Sequence, residues 1–164
     1  MKKTSTQLGE IKLLGITART NNKDEMNPET AKIGATAGEY WSRGLANEFQ
    51  ARANPGVTYA VYTDFESDEN GEYTYFIGEA VESFDGQDTD KFTALTIPAS
   101  NYQKFTTEPA PMPKVVIDAW QSIWQMKADD FGGARKYIAD FEVYDQRASN
   151  SDEAVIDIYI GVER

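Results

Sequence analysis

The order of sequence patterns repeats once along the chain, and this repeat limits the folds that 164 residues can adopt. Each half reads as strand, helix, strand, strand. Residues 60–64 (AVYTD) resemble residues 142–145 (EVYD), and residues 75–82 (YFIGEAVE) resemble residues 159–163 (YIGVE), at the same place in each half. Two such units would bury their helices on one face of the sheet, and their other sheet faces could meet across a pseudo-twofold cleft.

Residue periodicity and turn signals predict the elements of each half. The first half has predicted strands at 11–20, 59–65 and 73–81, and a helix at 36–51 whose apolar stripe is Ala37, Trp41, Leu45 and Phe49. The second half has strands at 92–97, 101–106, 137–145 and 154–162, and a helix at 113–126 whose stripe is Val116, Trp120, Ile123 and Trp124. Residues 1–9 are polar and read as a loose segment, whereas 21–30 and 128–135 read as loops. We expect one domain, with repeat one at about 10–83 and repeat two at about 91–163.

The predicted strand from Tyr137 to Asp145 carries a carboxylate, Glu142, within an apolar and aromatic run. Strand alternation puts one set of side chains on a face that suits a core under helices: Tyr137, Ala139, Phe141 and Val143. The opposite face receives Ile138, Asp140, Glu142 and Tyr144. Two interpretations of Glu142 stay open here: a cation site among aromatic rings, or a surface acid that pairs with a lysine or arginine.

Composition excludes several kinds of chemistry. The chain has no cysteine and no histidine, which excludes thiol nucleophiles, disulfides, Ser-His-Asp triads and the usual zinc sites. Its 16 basic and 27 acidic residues give a net charge of −11, which repels nucleic acid and anionic lipid and favours cationic ligands. No run approaches the roughly 18 apolar residues of a membrane span, and no signal peptide is apparent. We therefore expect a cytoplasmic protein without metal or other cofactors, and without a membrane partner.

Taken together, five short segments resemble a known family, the GyrI-like effector-binding domains. They are YTDFES at 62–67, YTYFIG at 73–78, AWQSIW at 119–124, DFEVYD at 140–145 and VIDIYIGV at 155–162. Their order and spacing match the family across nearly all of the chain, roughly residues 11–162. Members of this family form the ligand-sensing part of AraC-type and MerR-type multidrug regulators. They also occur as stand-alone proteins, including integron-cassette proteins that bind cationic drugs.

The resemblance implies a fold, a ligand and a role for Glu142. The fold would be α+β, with two pseudo-symmetric β-α-β-β repeats, antiparallel sheets, helices on one face and a central ligand cleft. The ligands would be lipophilic, aromatic cations of the multidrug type, and the glutamate of the DFEVY segment, here Glu142, would neutralise them. The chain has no room for the regulators' helix-turn-helix, so we expect a stand-alone binding module without direct nucleic-acid contact.

Aromatic side chains are the other candidates for this site. Tyr144, Tyr62, Tyr75 and Tyr159 are predicted to line the cleft by strand alternation and by the repeat. Trp120, Trp124 and Trp41 lie on helix stripes, and we expect at least one of them to reach the cleft, with Trp124 the first candidate. Rings of this kind would contribute stacking and cation–π attraction without demanding a particular hydrogen-bond pattern.

Two other functions are compatible with the same residues. Some stand-alone relatives resemble hydrolases of reactive cyclopropane-type compounds, in which Glu142 would act as a general base on water. The acidic surface would alternatively suit an inhibitor that binds a protein such as gyrase. The sequence indicates neither the natural ligand nor the oligomeric state, so a protein partner or a homodimer stays open.

Overall fold

The fold combines eight strands with four α-helices within residues 1–163, the part of the chain that the computed structural model describes. The strands are β1 (Lys2–Leu8), β2 (Ile11–Thr20), β3 (Thr58–Thr63), β4 (Tyr73–Ala80), β5 (Thr93–Ile97), β6 (Ser100–Thr106), β7 (Ala139–Tyr144) and β8 (Asp157–Val162). The helices are α1 (Asn22–Glu25), α2 (Ile33–Ser42), α3 (Lys114–Trp124) and α4 (Ala128–Phe131), with short 3-10 turns at Leu45–Glu48 and Gln146–Ala148. Over the same residues, no helix is long and apolar enough to cross a membrane.

All strands join one antiparallel sheet, in the order β1-β6-β8-β7-β3-β4-β2-β5. This order is pseudo-symmetric about the central pair, β7 and β3. On one side of the sheet β7 is followed outward by β8 and β6, and on the other side β3 is followed outward by β4 and β2. The α+β fold with two related halves is therefore confirmed. The halves differ from the prediction in sharing one continuous sheet instead of forming two.

Short connections bend this sheet strongly. β1 lies at one edge, yet only residues 9–10 link it to β2, which lies beside the opposite edge. Residues 98–99 likewise link β5, at the opposite edge, to β6, which lies beside β1. The two edges must therefore lie close together, which curls one face of the sheet onto itself.

The curled face holds a hydrophobic core, and this corrects two predictions. It carries Phe141 and Ala139 of β7, together with residues from the other strands: Leu13, Val61, Phe76, Ala80, Ile97 and Tyr102. The face of β7 that holds Phe141 is thus covered by other strands and not by helices. The sheet faces without helices pack against each other through these side chains instead of lining an open cleft, and a pocket of about 330 Å³ remains on this face, beside residues 8–11 and the ring of Tyr159.

Both long helices cover the opposite face, which carries Glu142. In the first half, Tyr40 of α2 belongs to a buried cluster with Leu14 and Ile77 of the sheet. In the second half, Ile123 of α3 belongs to a cluster that includes Phe105, Ile156, Ile158 and Ile160. Since α2 and α3 lie over the two flanks, the central strands β3 and β7 lie beneath the gap between the helices.

Backbone conformation explains the largest differences from the predicted elements. The helix predicted at 36–51 runs from Ile33 to Ser42 instead, because Gly44 adopts a left-handed conformation (φ 56°) and a 3-10 turn follows. Tyr137 is also left-handed (φ 53°), so β7 begins only at Ala139 and Tyr137 leaves the strand face assigned to it. The predicted loose segment 1–9 forms β1, and both predicted loops contain one short helix.

A glycine pair at the β2–β4 contact gives a test of this packing. Gly15 and Gly78 are direct partners, and a Cβ at either position would lie 2.0 Å from a backbone oxygen of the neighbouring strand. We expect Gly78→Ala to lower the free energy of unfolding by about 1–3 kcal/mol, because the strands must move apart. Urea denaturation measures the difference.

Gly38→Ala is the matched control for that substitution. Gly38 lies inside α2, where an added Cβ meets nothing within 4 Å. Alanine is favoured over glycine in a helix interior by about 0.5–1 kcal/mol, so this variant should be as stable as the parent or more stable. Equal stability of the two alanine variants would contradict the close strand approach.

Candidate functional site

A cavity of about 640 Å³ opens between α2 and α3. The sheet forms its floor and the two helices form its walls, so aromatic and aliphatic side chains make up most of the lining. Drug-sized ligands occupy pockets of roughly 300–1,000 Å³, and this cavity lies within that range. The gap between the helices is therefore large enough to enclose a small molecule.

Glu142 lies on the cavity floor as a buried carboxylate with neutral hydrogen-bond partners. Only 2% of this residue is exposed to solvent. Tyr62 Oη and Trp120 Nε1 donate to its Oε2 at 2.7 and 2.6 Å, and Tyr144 Oη donates to its Oε1. Among residues 1–163, no lysine or arginine forms an ion pair with it. The interpretation of Glu142 as a surface acid is therefore wrong.

Burial dominates the ionisation of this group. Loss of solvation raises the pKa of Glu142 above its ordinary value, and the hydrogen bonds from Tyr144, Tyr62 and Trp120 lower it only in part. Burial and the nearby Glu142 charge raise the pKa of both tyrosine hydroxyls well above normal, so they remain protonated donors. A cation in the cavity would supply the counter-charge that this carboxylate lacks.

The pseudo-symmetry of the sheet explains why a single glutamate occupies this place. Ala60 of β3 pairs directly with Glu142 of β7, and the matching AVY and EVY segments make them equivalent positions. Tyr62 and Tyr144 are equivalent in the same way, and both hydroxyls point to the one carboxylate. A second glutamate at position 60 would place two like charges together, whereas alanine leaves space above the floor.

A second buried carboxylate, Asp140, lines the same cavity but is neutralised. Arg135 Nη2 donates to Asp140 Oδ2 at 2.7 Å, and the backbone N–H of Gly161 donates to Oδ1 at 2.8 Å. The guanidinium of Arg135 also lies 4.4 Å from the ring centroid of Tyr137. Asp140 therefore has its own cation, whereas Glu142 is a buried carboxylate with no cationic partner in the described part of the chain.

Glu25 and Glu69 add negative charge to the cavity lining, at partly exposed positions. Glu25 accepts hydrogen bonds from the hydroxyl of Thr20 and from the backbone N–H groups of residues 32 and 33. Glu69 accepts a hydrogen bond from Tyr137. Neither glutamate was predicted, since both lie outside the strands and the α2 and α3 stripes on which the sequence interpretation depends. Together with Asp140 and Arg135, they are the charged residues of the lining that were not among the predicted site residues.

The structure brings seven of the eight predicted site residues to this cavity: Glu142, Tyr144, Tyr62, Tyr75, Trp124, Trp120 and Trp41. All three tryptophans line it, and the one that bonds Glu142 is Trp120, not Trp124, the first candidate. Trp41 and Trp124 are about half exposed, at 49% and 46%, and stand on facing helices. They form the walls of the cavity and do not fill the core.

Tyr159 is the predicted residue that lies elsewhere. It pairs with Phe141 in the sheet and stacks on that ring with centroids 4.7 Å apart, on the face opposite Glu142. The predicted repeat aligns Tyr75 with Tyr159, and this alignment is wrong. Aligning Gly78 with Gly161 makes Phe76, not Tyr75, the counterpart of Tyr159, and Phe76 also lies on the curled face.

Comparison with known proteins agrees with this architecture. The sequence profile of the integron-associated effector binding proteins, Cass2, matches residues 6–162. The chain belongs to this family. YobU of Bacillus subtilis (strain 168), which carries a provisional name as a transcriptional regulator, is 28% identical over 159 residues, covering 97% of this chain and 96% of YobU. The Cass2 assignment fits the resemblance to GyrI-like domains and indicates small-molecule binding as the general function.

Solved structures resemble the Cass2 fold described above over nearly its whole length. The integron cassette protein VCH_CASS2 of Vibrio cholerae superposes with a TM-score of 0.74 at 25% identity, covering 98% of this chain and 95% of that one. SAV2435, solved with tetraphenylphosphonium bound, superposes with a TM-score of 0.71 at 20% identity, covering 99% and 94%. At that identity, the likeness to SAV2435 establishes a shared fold.

Proposed function

We propose that this protein binds lipophilic, aromatic cations, with Glu142 as the counter-charge. The observation that carries the proposal is a buried carboxylate on the floor of a 640 Å³ cavity with aromatic walls, which has no basic partner within residues 1–163. The three neutral donors hold the carboxylate in place and keep it receptive to a cation. SAV2435, a protein of the same fold, has been solved with tetraphenylphosphonium bound, and this supports the choice of ligand class.

The energetics favour a broad set of ligands. Each ring in the cavity adds about 0.5–2 kcal/mol when it faces a cation, and ring burial adds about 25 cal/mol per Å² of apolar area. Neither contribution requires a particular arrangement of ligand hydrogen bonds. A ligand of about 25 non-hydrogen atoms that gains about 0.3 kcal/mol per atom would bind with a Kd of about 3 μM. We therefore expect the protein to select ligands by their charge and shape more than by their polar substituents.

Two ions of nearly equal shape and opposite charge test the proposal. Isothermal titration with tetraphenylphosphonium should give a micromolar Kd, whereas tetraphenylborate should bind at least about 100-fold more weakly, since its charge repels Glu142. The titrations use sodium buffers at about 0.5 M ionic strength, which screens the net surface charge of −11 over a few ångströms. Equal binding of the two ions would mean that the cavity recognises apolar surface alone.

A further inference from the structure

A second cavity of about 530 Å³ adjoins the ligand cavity at the end of α2. Three residues line both spaces, Trp41, Met112 and Tyr144, and we call them the partition. Beyond the partition, the second cavity is bounded by residues 55–58 on one side and by residues 145, 146, 148 and 149 on the other. The two cavities are thus neighbours that meet at the residues of the partition.

The members of the partition differ in how firmly they are held. Tyr144 stands on the sheet, and its hydroxyl is bonded to Glu142. Trp41 lies in the last turn of α2, is 49% exposed and contacts Tyr144 edge-on, with ring centroids 5.7 Å apart. Exposed side chains change rotamer rapidly, and methionine adapts to irregular space. Trp41 is therefore the member that can move aside while Tyr144 stays in place.

We propose that the second cavity is a subsite for an uncharged aromatic arm of an elongated cation, and that Trp41 controls entry to it. The inference rests on the proposed function, because the cationic end of the ligand would stay at Glu142. Asp145, the carboxylate that lines the second cavity, is already paired with Arg147 at 2.9 Å, so a second positive charge gains little there. Thr58, Gln146 and Ser149 supply neutral polar groups, and Val57 and Ala148 supply apolar surface.

Strand geometry sets the length of ligand that can use both cavities. Glu142 and Tyr144 are two residues apart on β7, which corresponds to about 7 Å along the strand. An arm must therefore extend more than that from the charged centre to pass Tyr144. Two directly linked phenyl rings do so, whereas a methyl group does not. The matched probes are methyltriphenylphosphonium and (biphenyl-4-ylmethyl)triphenylphosphonium, which share one charge and one cationic head.

The test compares the ratio of the two dissociation constants in the parent protein and in two tryptophan variants. Removing Trp41 abolishes the edge contact that the arm must displace, so Trp41→Ala should shift the ratio by about two- to tenfold toward the elongated probe. Trp124→Ala is the matched control: it has the same residue type and similar exposure, but it lines the first cavity only. It should weaken both probes equally and leave the ratio unchanged.

A variant that fills the second cavity gives a second, independent test of the subsite. Ser149 is exposed and lines that cavity, so Ser149→Trp should fold normally. It should abolish the advantage of the elongated probe while the short probe keeps its affinity. If the short probe binds the parent but neither Trp41→Ala nor Ser149→Trp changes the ratio, the second subsite is wrong and the cation site stands. If the short probe fails to bind the parent, the proposed function fails, and the subsite with it.

Discussion

Glu142→Gln should raise the Kd for tetraphenylphosphonium by about 100-fold, because a charge about 6 Å away in a medium of effective dielectric about 20 contributes about 2.8 kcal/mol. Glutamine retains the shape of the side chain and an oxygen that accepts from Tyr62 or Trp120. The fold should therefore survive the change. We expect unchanged or higher stability in the absence of ligand, since an uncompensated buried charge is removed. Titration calorimetry and thermal unfolding of the two proteins measure both effects.

Glu79→Gln is the matched control for the loss of affinity. Glu79 is also a buried glutamate, but Arg52 pairs with it at 3.4 Å and it does not line the ligand cavity. Both variants lose one negative charge from the whole molecule. If net charge alone attracts the cation, the two substitutions should weaken binding equally. A selective effect of Glu142→Gln assigns the attraction to the cavity floor.

The pH dependence of binding should come from the same carboxyl. Tetraphenylphosphonium has no titratable group, and the pKa of Glu142 is raised above its ordinary value by burial. The cation binds the ionised form, so affinity should fall on acidification, beginning at a higher pH than an ordinary glutamate would require. The glutamine variant should give a nearly flat profile. Parallel profiles for the two proteins would assign the titration to another group.

Strand alternation and the repeat predicted the central site residues of β3 and β7. Alternation along β7 correctly put Asp140, Glu142 and Tyr144 on one face, and the repeat added Tyr62 from β3. These inferences succeed because side-chain direction in a strand depends on position alone. The same rule cannot tell which face the helices cover. That depends on the curl of the whole sheet, which two-residue connections between distant strands impose.

Other parts of the structure were predicted wrongly or not at all, because their sequence signal is weak or misleading. β1 is held by backbone hydrogen bonds to β6 at the edge of the sheet, so its side chains remain mostly exposed and show no hydrophobic alternation. Tyr159 was misassigned because a one-residue shift in the repeat moves a side chain to the other face. Arg135 lies outside any strand or helix, and its partner Asp140 is identified only once the chain is folded.

Arg135→Met should lower the free energy of unfolding at neutral pH by about 3–5 kcal/mol, because it leaves Asp140 buried without its cation. The residues of this pair are nearly inaccessible, with side chains 10% and 1% exposed. Methionine keeps much of the apolar contact with the ring of Tyr137, so the lost charge accounts for most of the change. Urea denaturation at pH 7 measures it.

Acidification should relieve this loss of stability. Burial already raises the pKa of Asp140, and Arg135 is the first group that lowers it, so the pKa should rise further in the variant. A carboxyl whose folded pKa is raised binds more protons when folded than when unfolded, which favours the folded state as pH falls. The deficit relative to the parent should therefore be largest near pH 7 and should shrink toward pH 5.

Adding Asp140→Asn to Arg135→Met should restore about half or more of the lost stability at pH 7, because the buried pair is then replaced by neutral groups. Asparagine Oδ1 can still accept from the backbone N–H of Gly161, so that contact is preserved. The double variant should also lose the pH dependence of the single one. Strictly additive costs of the two substitutions would mean that the charges are not coupled, and that Asp140 is stabilised mainly by the hydrogen bond from Gly161.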